Sequence, residues 1–86
     1  MMNTIPKIEK IDLLNDFSLI VFFNNNEAKR YTSEQLFKRP EFLILKSIPF
    51  FKTGKIVNGG HGIYWDDVLD ISENELWMNG ETIQKN

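Results

Sequence analysis

The sequence predicts an α+β fold in a single domain, a small antiparallel sheet of about four to five short strands packed with two to three short helices. Three observations carry that expectation. β-branched and aromatic runs separated by polar turns fill the first third of the chain, and short segments with helix-capping residues occupy the middle and the end. A length of 86 residues suffices for one hydrophobic core but not two.

Residues Lys7 to Leu14 carry Ile8, Ile11, Leu13 and Leu14 among charges, and the imperfect alternation predicts an edge strand with a bulge where the apolar phase shifts. Asn15-Asp16 reads as a turn. Phe17 to Phe23 is the strongest strand, with no glycine or proline and with apolar residues on both faces, so it is expected in the middle of the sheet. Asn24-Asn25-Asn26 then closes a hairpin onto Glu27 to Tyr31, a more polar third strand.

The pattern changes at Thr32. Thr32 and Gln35 stand at capping-box spacing, with Leu36 and Phe37 as the apolar side of a short helix. Pro40 either stops that helix or starts the next, at whose first position a proline is welcome and on which Phe42 and Leu45 fall three apart, and Pro49 is expected to end it. Phe50, Phe51, Ile56 and Val57 lead to Gly59-Gly60-His61-Gly62, whose glycines permit a hairpin onto Ile63-Tyr64-Trp65. Ser72 and Glu75 form another capping box, with Leu76 and Trp77 inward and Asn79-Gly80 as the helix exit. A hairpin pairing Leu76 to Met78 with Glu81 to Ile83 is the competing reading, and the helix is preferred.

Composition narrows the function. Apolar residues make up 42% and aromatics 13%, with seven phenylalanines and two tryptophans, so a core forms without cross-links. There is no cysteine, which removes disulfides, thiolate metal sites and cysteine nucleophiles together. No apolar run approaches the roughly 18 residues of a membrane span, and Met1 to Lys7 lacks the pattern of a secretory signal. The expected compartment is the cytoplasm, with no membrane association.

A net charge of −2 argues against a dedicated nucleic-acid binder. The distribution is uneven, however. Glu27 to Lys55 holds seven Lys and Arg against three Glu, a net of +4, whereas Asp66 to Asn86 holds six carboxylates against one Lys, a net of −5. Such polarity steers association with a protein partner or a second copy, so the candidate partner surface comprises Lys29, Arg30, Lys38, Arg39, Asp66 and Asp67.

The stretch Gly59 to Ile71 gathers the only histidine and the densest acids, yet each catalytic reading lacks a part. Asp66-Asp67-Val68-Leu69-Asp70 matches a spacing that holds Mg²⁺ and a diphosphate when the acids share a helix face. Ile63 to Trp65 instead predicts a strand running into the acids, so Asp66 and Asp67 are expected to form a solvated turn and Asp70 to order the start of the final helix through backbone N–H groups. His61 could serve as a general base beside Asp66 or Asp67, but no nucleophile or second histidine stands at a recognisable spacing. The glycines around it lack the Lys-Ser/Thr pair and the following helix of a phosphate-binding loop. His61 is expected to be an exposed turn residue, and no catalytic residue, metal or cofactor is assigned. Trp65 and Trp77 are expected in the core, although tryptophan is also favoured at binding hot spots.

The order of elements, and above all Ile63-Tyr64-Trp65-Asp66-Asp67-Val68-Leu69-Asp70-Ile71-Ser72, resembles the uncharacterised bacterial family named domain of unknown function 2442. In that family a strand with a tryptophan is followed by a short spacer, an aspartate and a serine opening a last helical turn. The resemblance covers nearly the whole chain and implies a small α+β domain. It brings no catalytic residues. Some members precede a helix-turn-helix, and some lie beside a gene for another small protein in a toxin–antitoxin-like arrangement. With the sequence running to Asn86, the expectation is one domain over residues 1–86, with no linker and no DNA-binding extension.

The function expected from these observations is a non-enzymatic protein–protein interaction module. It would work as a homo-oligomer such as a homodimer, or as the neutralising member of a toxin–antitoxin-like pair. The alternative is a sheet-based nucleic-acid contact through the basic Lys29–Arg39 region, with Tyr31 as the stacking residue. Trp65, Asp70, Ser72 and Trp77 are assigned structural roles.

Overall fold

The computed structural model describes residues 4–85 of the chain. An antiparallel meander opens the fold, with β1 (Ile8–Leu13), β2 (Ser18–Phe23) and β3 (Ala28–Thr32) in adjacent positions. β1 is the edge strand and carries the expected bulge, between Ile8 and Lys10. The turns are built by short polar side chains. Asp16 Oδ1 accepts from the Ser18 N–H at 3.0 Å, and Asn25 Oδ1 accepts from the Glu27 N–H at 3.1 Å. Asn26 takes a left-handed φ of 68°, which asparagine tolerates.

Two details depart from the sequence reading. Phe17 belongs to the first turn, not to β2, and sits at φ 66° because its ring is drawn toward Phe37 (5.8 Å) and Phe51 (5.9 Å). β2 is central, but only its odd face enters the core: Leu19, Val21 and Phe23 are buried, whereas Ile20 and Phe22 are half-buried on a solvated face where the Lys10 ammonium lies 5.1 Å from the Phe22 ring centroid.

Beyond β3 the chain is helical, but mostly as 3₁₀ turns, over Ser33–Lys38 and Pro40–Lys46, followed by one α turn, α1 (Ile48–Phe51). The cause lies in the spacing of the inward residues. Ser33, Leu36, Phe42, Leu45 and Phe51 are buried and Ile48 is half-buried, a repeat of three that matches three residues per turn and not 3.6. Arg39 is the exception in the series. It is the extended link between the two 3₁₀ segments, and its guanidinium lies 4.7 Å from the Phe42 ring centroid.

Thr32 caps the first segment by accepting from the Glu34 N–H at 3.4 Å, while Gln35 turns away and donates to the Asn79 carbonyl. Pro40 occupies the expected first position. Pro49 does not end a helix. The preceding turn closes at the extended Ser47, and Pro49 lies in the first turn of α1, where a missing N–H costs nothing.

A second antiparallel sheet follows, with β4 (Lys55–Ile56), β5 (Gly62–Asp66) and β6 (Leu69–Ser72) in that order. The glycine hairpin forms as expected, with Gly59 at φ 83° and Gly60 at φ 76°. Gly60 also lies against β1 so closely that a Cβ there would fall 2.5 Å from the Ile8 carbonyl oxygen. Asp66 and Asp67 make a turn as expected, but it folds the chain back into β6 instead of leading to a helix. Asp70 therefore lies in a strand, exposed and paired across from Tyr64, and the helix start assigned to it is made by Ser72 and by the His61 carbonyl, which accepts from the Glu73 N–H at 3.0 Å. Ser72 Oγ accepts from the Glu75 N–H at 3.1 Å to cap α2 (Glu73–Asn79).

Past Gly80 the chain extends as β7 (Glu81–Gln84), antiparallel to β3. The helix reading of residues 76–79 thus holds, and the residues after it form a strand with a distant partner. Seven strands in two sheets stand where one sheet of four to five was expected: β6 was not expected, and Glu81 to Ile83 was expected as a strand only in the competing hairpin, paired with Leu76 to Met78 and not with β3.

One core lies between the layers. Leu19, Val21, Phe23 and Tyr31 come from the first sheet, Ile63, Trp65, Leu69 and Ile71 from the second, with Leu36, Phe42, Leu45, Phe51 and Leu76 between. Trp65 is buried as expected; its Nε1 donates to the Phe51 carbonyl at 2.8 Å and its ring stacks on Phe51 at 6.3 Å. Trp77 is half-buried, edge-on to Phe23 at 5.2 Å.

Trp65→Ala is expected to cost about 3 to 5 kcal/mol in chemical denaturation, and an unchanged midpoint would contradict the core assignment. Gly60→Ala is expected to destabilise more than Gly59→Ala. Both residues have positive φ, but the new methyl at 60 meets the Ile8 backbone, whereas at 59 it meets only the movable His61 ring. Thermal melts of the two variants check the order.

Candidate functional site

Along β5 and β6 the side chains alternate. Ile63, Trp65, Leu69 and Ile71 point into the core, so Tyr64, Asp66 and Asp70 face solvent. Across the three strands Tyr64 stands between Lys55 on β4 and Asp70 on β6. With Ile56, Val57 and Asn58 on one flank and Asp66, Asp67 and Asp70 on the other, Tyr64 forms the floor of a groove of about 380 Å³.

Asp66 has two tasks. Its Oδ1 accepts from the N–H groups of Val68 (3.0 Å) and Leu69 (2.8 Å), which shapes the turn. Its charge remains on the rim of the groove. Val68 is 88% exposed and projects from the same turn. Among the described residues, Asp66, Asp67 and Asp70 make no ion pair, and no group of three His, Cys, Asp or Glu side chains converges on a metal position. Three carboxylates along one side of an exposed phenol ring suit lysine or arginine side chains, which gain from both the charges and the ring face.

The basic half of the expected surface does not assemble in the same way. Lys29 reaches back to α2, where its Nζ donates to the Trp77 carbonyl at 2.6 Å and lies 4.1 Å from the Trp77 ring centroid, a cation at a helix C-terminus. Arg30, on the opposite face of β3, pairs with Asp16 at 2.7 Å. Arg39 pairs with Glu41 at 2.9 Å, and Lys38 ends the neighbouring 3₁₀ turn. Three of these four cations are therefore engaged within the chain. Tyr31, expected as a stacking residue, is wholly buried, and its hydroxyl donates to Glu75 Oε2 at 2.6 Å. Burial first, and then the Glu75 carboxylate, push the phenol well above its usual range.

His61 lies in an exposed turn, as expected, but its neighbours are Glu73 and Lys7. Asp66 stands at the far end of β5. His61 Nδ1 lies 3.3 Å from Glu73 Oε2, and Lys7 Nζ donates to the same oxygen at 2.6 Å. Burial alone would raise the Glu73 carboxyl; the hydrogen bonds from Lys7 and His61 outweigh it and hold the group below its ordinary value. This cluster ties the N-terminal segment and the glycine turn to the start of α2.

Tyr64 and Val68 are the site residues that sequence reasoning passed over. The alternation Ile63-Tyr64-Trp65 held the signal for Tyr64, since two flanking core residues on a strand force the middle one outward. Fold and groove together define a small α+β domain with an acidic, aromatic-floored surface. Comparison with protein-family models, curated proteins and solved structures finds no match. Among the described residues no helix is long and apolar enough to cross a membrane.

Because Glu73 titrates lower in the folded state than its ordinary 4.5, its contribution to stability is complete above that value and is lost as pH falls through the folded one. Lys7→Met is expected to flatten this acid limb, and urea midpoints measured from pH 7 down to pH 3 check it.

Proposed function

We propose that the protein is a non-enzymatic interaction module of the cytoplasm that presents the groove of the second sheet to a basic segment of another protein. The observation that carries this reading is Tyr64, an exposed aromatic on the solvent face of a sheet, bordered on one flank by Asp66, Asp67 and Asp70 with no ion pair among the described residues and followed by the protruding Val68. Interfaces favour aromatic side chains at their centres, and unpaired charge of one sign speeds encounter with the opposite sign. The likeness of residues 63–72 to domain of unknown function 2442 supports a more specific role, the neutralising member of a toxin–antitoxin-like pair. The partner would then be a small basic protein encoded beside this one.

Co-purification with the product of the neighbouring gene tests the reading. Asp66→Asn/Asp67→Asn/Asp70→Asn keeps the Oδ1 acceptor of the turn while removing the charges. It is expected to weaken capture at least tenfold and to abolish its salt dependence, with the melting temperature little changed. Tyr64→Ala is expected to weaken capture at every salt concentration. Capture that survives both changes would place the interface elsewhere, and binding to DNA or RNA at low salt, where phosphate contacts are strongest, would favour the nucleic-acid alternative.

A further inference from the structure

The two edges of the first sheet are treated differently. On the β1 side the second sheet closes in, with β4 and the Asn58–Gly60 turn lying against β1 and Gly60 in van der Waals contact with the Ile8 backbone. On the other side β7 is the last strand in the order β1-β2-β3-β7. All four of its residues, Glu81, Thr82, Ile83 and Gln84, are exposed, so neither face of the strand is packed, and Ile83 is 52% exposed. A strand in this position presents a row of N–H and C=O groups without ladder partners.

The sequence of that edge is complementary to itself. When a second copy of Glu81-Thr82-Ile83-Gln84-Lys85 is laid antiparallel and centred on Ile83, Glu81 falls opposite Lys85, Thr82 opposite Gln84 and Ile83 opposite Ile83. Each symmetric pair is of a favourable kind: two opposite charges, two hydrogen-bonding side chains, and one apolar contact on the two-fold axis. In-register parallel pairing would instead set Glu81 against Glu81 and Lys85 against Lys85. Neither Glu81 nor Lys85 makes an ion pair within the chain among the described residues, so both charges are available across the axis.

We infer that β7 is a homodimerisation edge, joining two copies through antiparallel β7–β7 pairing into one continuous eight-stranded sheet. The inference rests on the reading of the chain as an interaction module and identifies a second partner surface, on a different sheet from the acidic groove.

Sedimentation and light scattering across a concentration series, with the full chain, test it. The wild type is expected to dimerise. Glu81→Lys or Lys85→Glu places like charges opposite each other at two symmetric positions and is expected to weaken the dimer about tenfold. The double reversal Glu81→Lys/Lys85→Glu is expected to restore it, which a merely structural role for either residue would not produce. Ile83→Lys, an exposed change that spares the core, is expected to give a monomer, and amide exchange along β7 is expected to slow with rising concentration in the wild type and the double reversal but not in Ile83→Lys.

A wild type that stays monomeric into the millimolar range would overturn the inference. So would a dimer indifferent to all three single changes, or β7 captured instead by a strand of another protein. The groove assay separates this from the proposed function. Loss of capture in the Asp66→Asn/Asp67→Asn/Asp70→Asn variant with the dimer intact supports both surfaces, whereas a monomer that still captures its basic partner through the groove overturns only the dimer.

Discussion

The architecture depends on one buried contact, the Trp65 indole against Phe51. Two small sheets, neither able to bury an aromatic face alone, have to share a core in a chain with no cysteine and, among the described residues, no cluster of His, Asp and Glu that could hold a metal ion. Trp65 joins them by stacking on Phe51 and by donating to the Phe51 carbonyl, which satisfies the indole N–H inside the core. Phe51 touches Phe17, and Phe17 touches Phe37, so an unbroken line of rings runs from β5 through α1 to the turn before β2. The left-handed backbone of Phe17 is understandable on these terms, because the turn that strains it also delivers its ring to that line.

Local physics made much of the fold legible. The meander β1 to β3 follows from period-two patterning and asparagine turns, the glycine hairpin from positive φ, and α2 from Ser72 at its cap. What escaped the sequence reading depended on partners far away or on a period other than those sought. The spacing Ser33, Leu36, Phe42, Leu45, Ile48, Phe51 is regular, but it repeats every three residues, so a search at 3.6 finds only fragments. β7 has little patterning of its own and becomes a strand because β3 offers it an edge. Asp70 looked like a capping residue because it precedes Ser72, yet the inward Leu69 and Ile71 on either side hold it in a strand.

The site was legible in part. Asp66 and Asp67 were read as surface, and they lie on the groove rim. The basic residues were read as the other half of a polarised surface, and the structure engages three of the four inside the chain: Lys29 on α2, Arg30 on Asp16 and Arg39 on Glu41. A sum of charges along the sequence cannot distinguish a cation that caps a helix from one that waits for a partner. The acids stay outward because β5 and β6 alternate strictly around a core that takes every second residue.

The pairing of β3 with β7 also constrains how the chain comes together in time. Ala28 pairs with Gln84 and Arg30 with Glu81, across fifty or more residues of intervening chain, whereas β1, β2 and β3 are near neighbours in sequence. During synthesis the meander can therefore form early. The β3 edge stays open until the second sheet and α2 have been made and the last strand has emerged. Until β7 is in place, β3 is itself an unpaired edge, so the order of the sheet leaves the meander with an open template that only a distant segment covers.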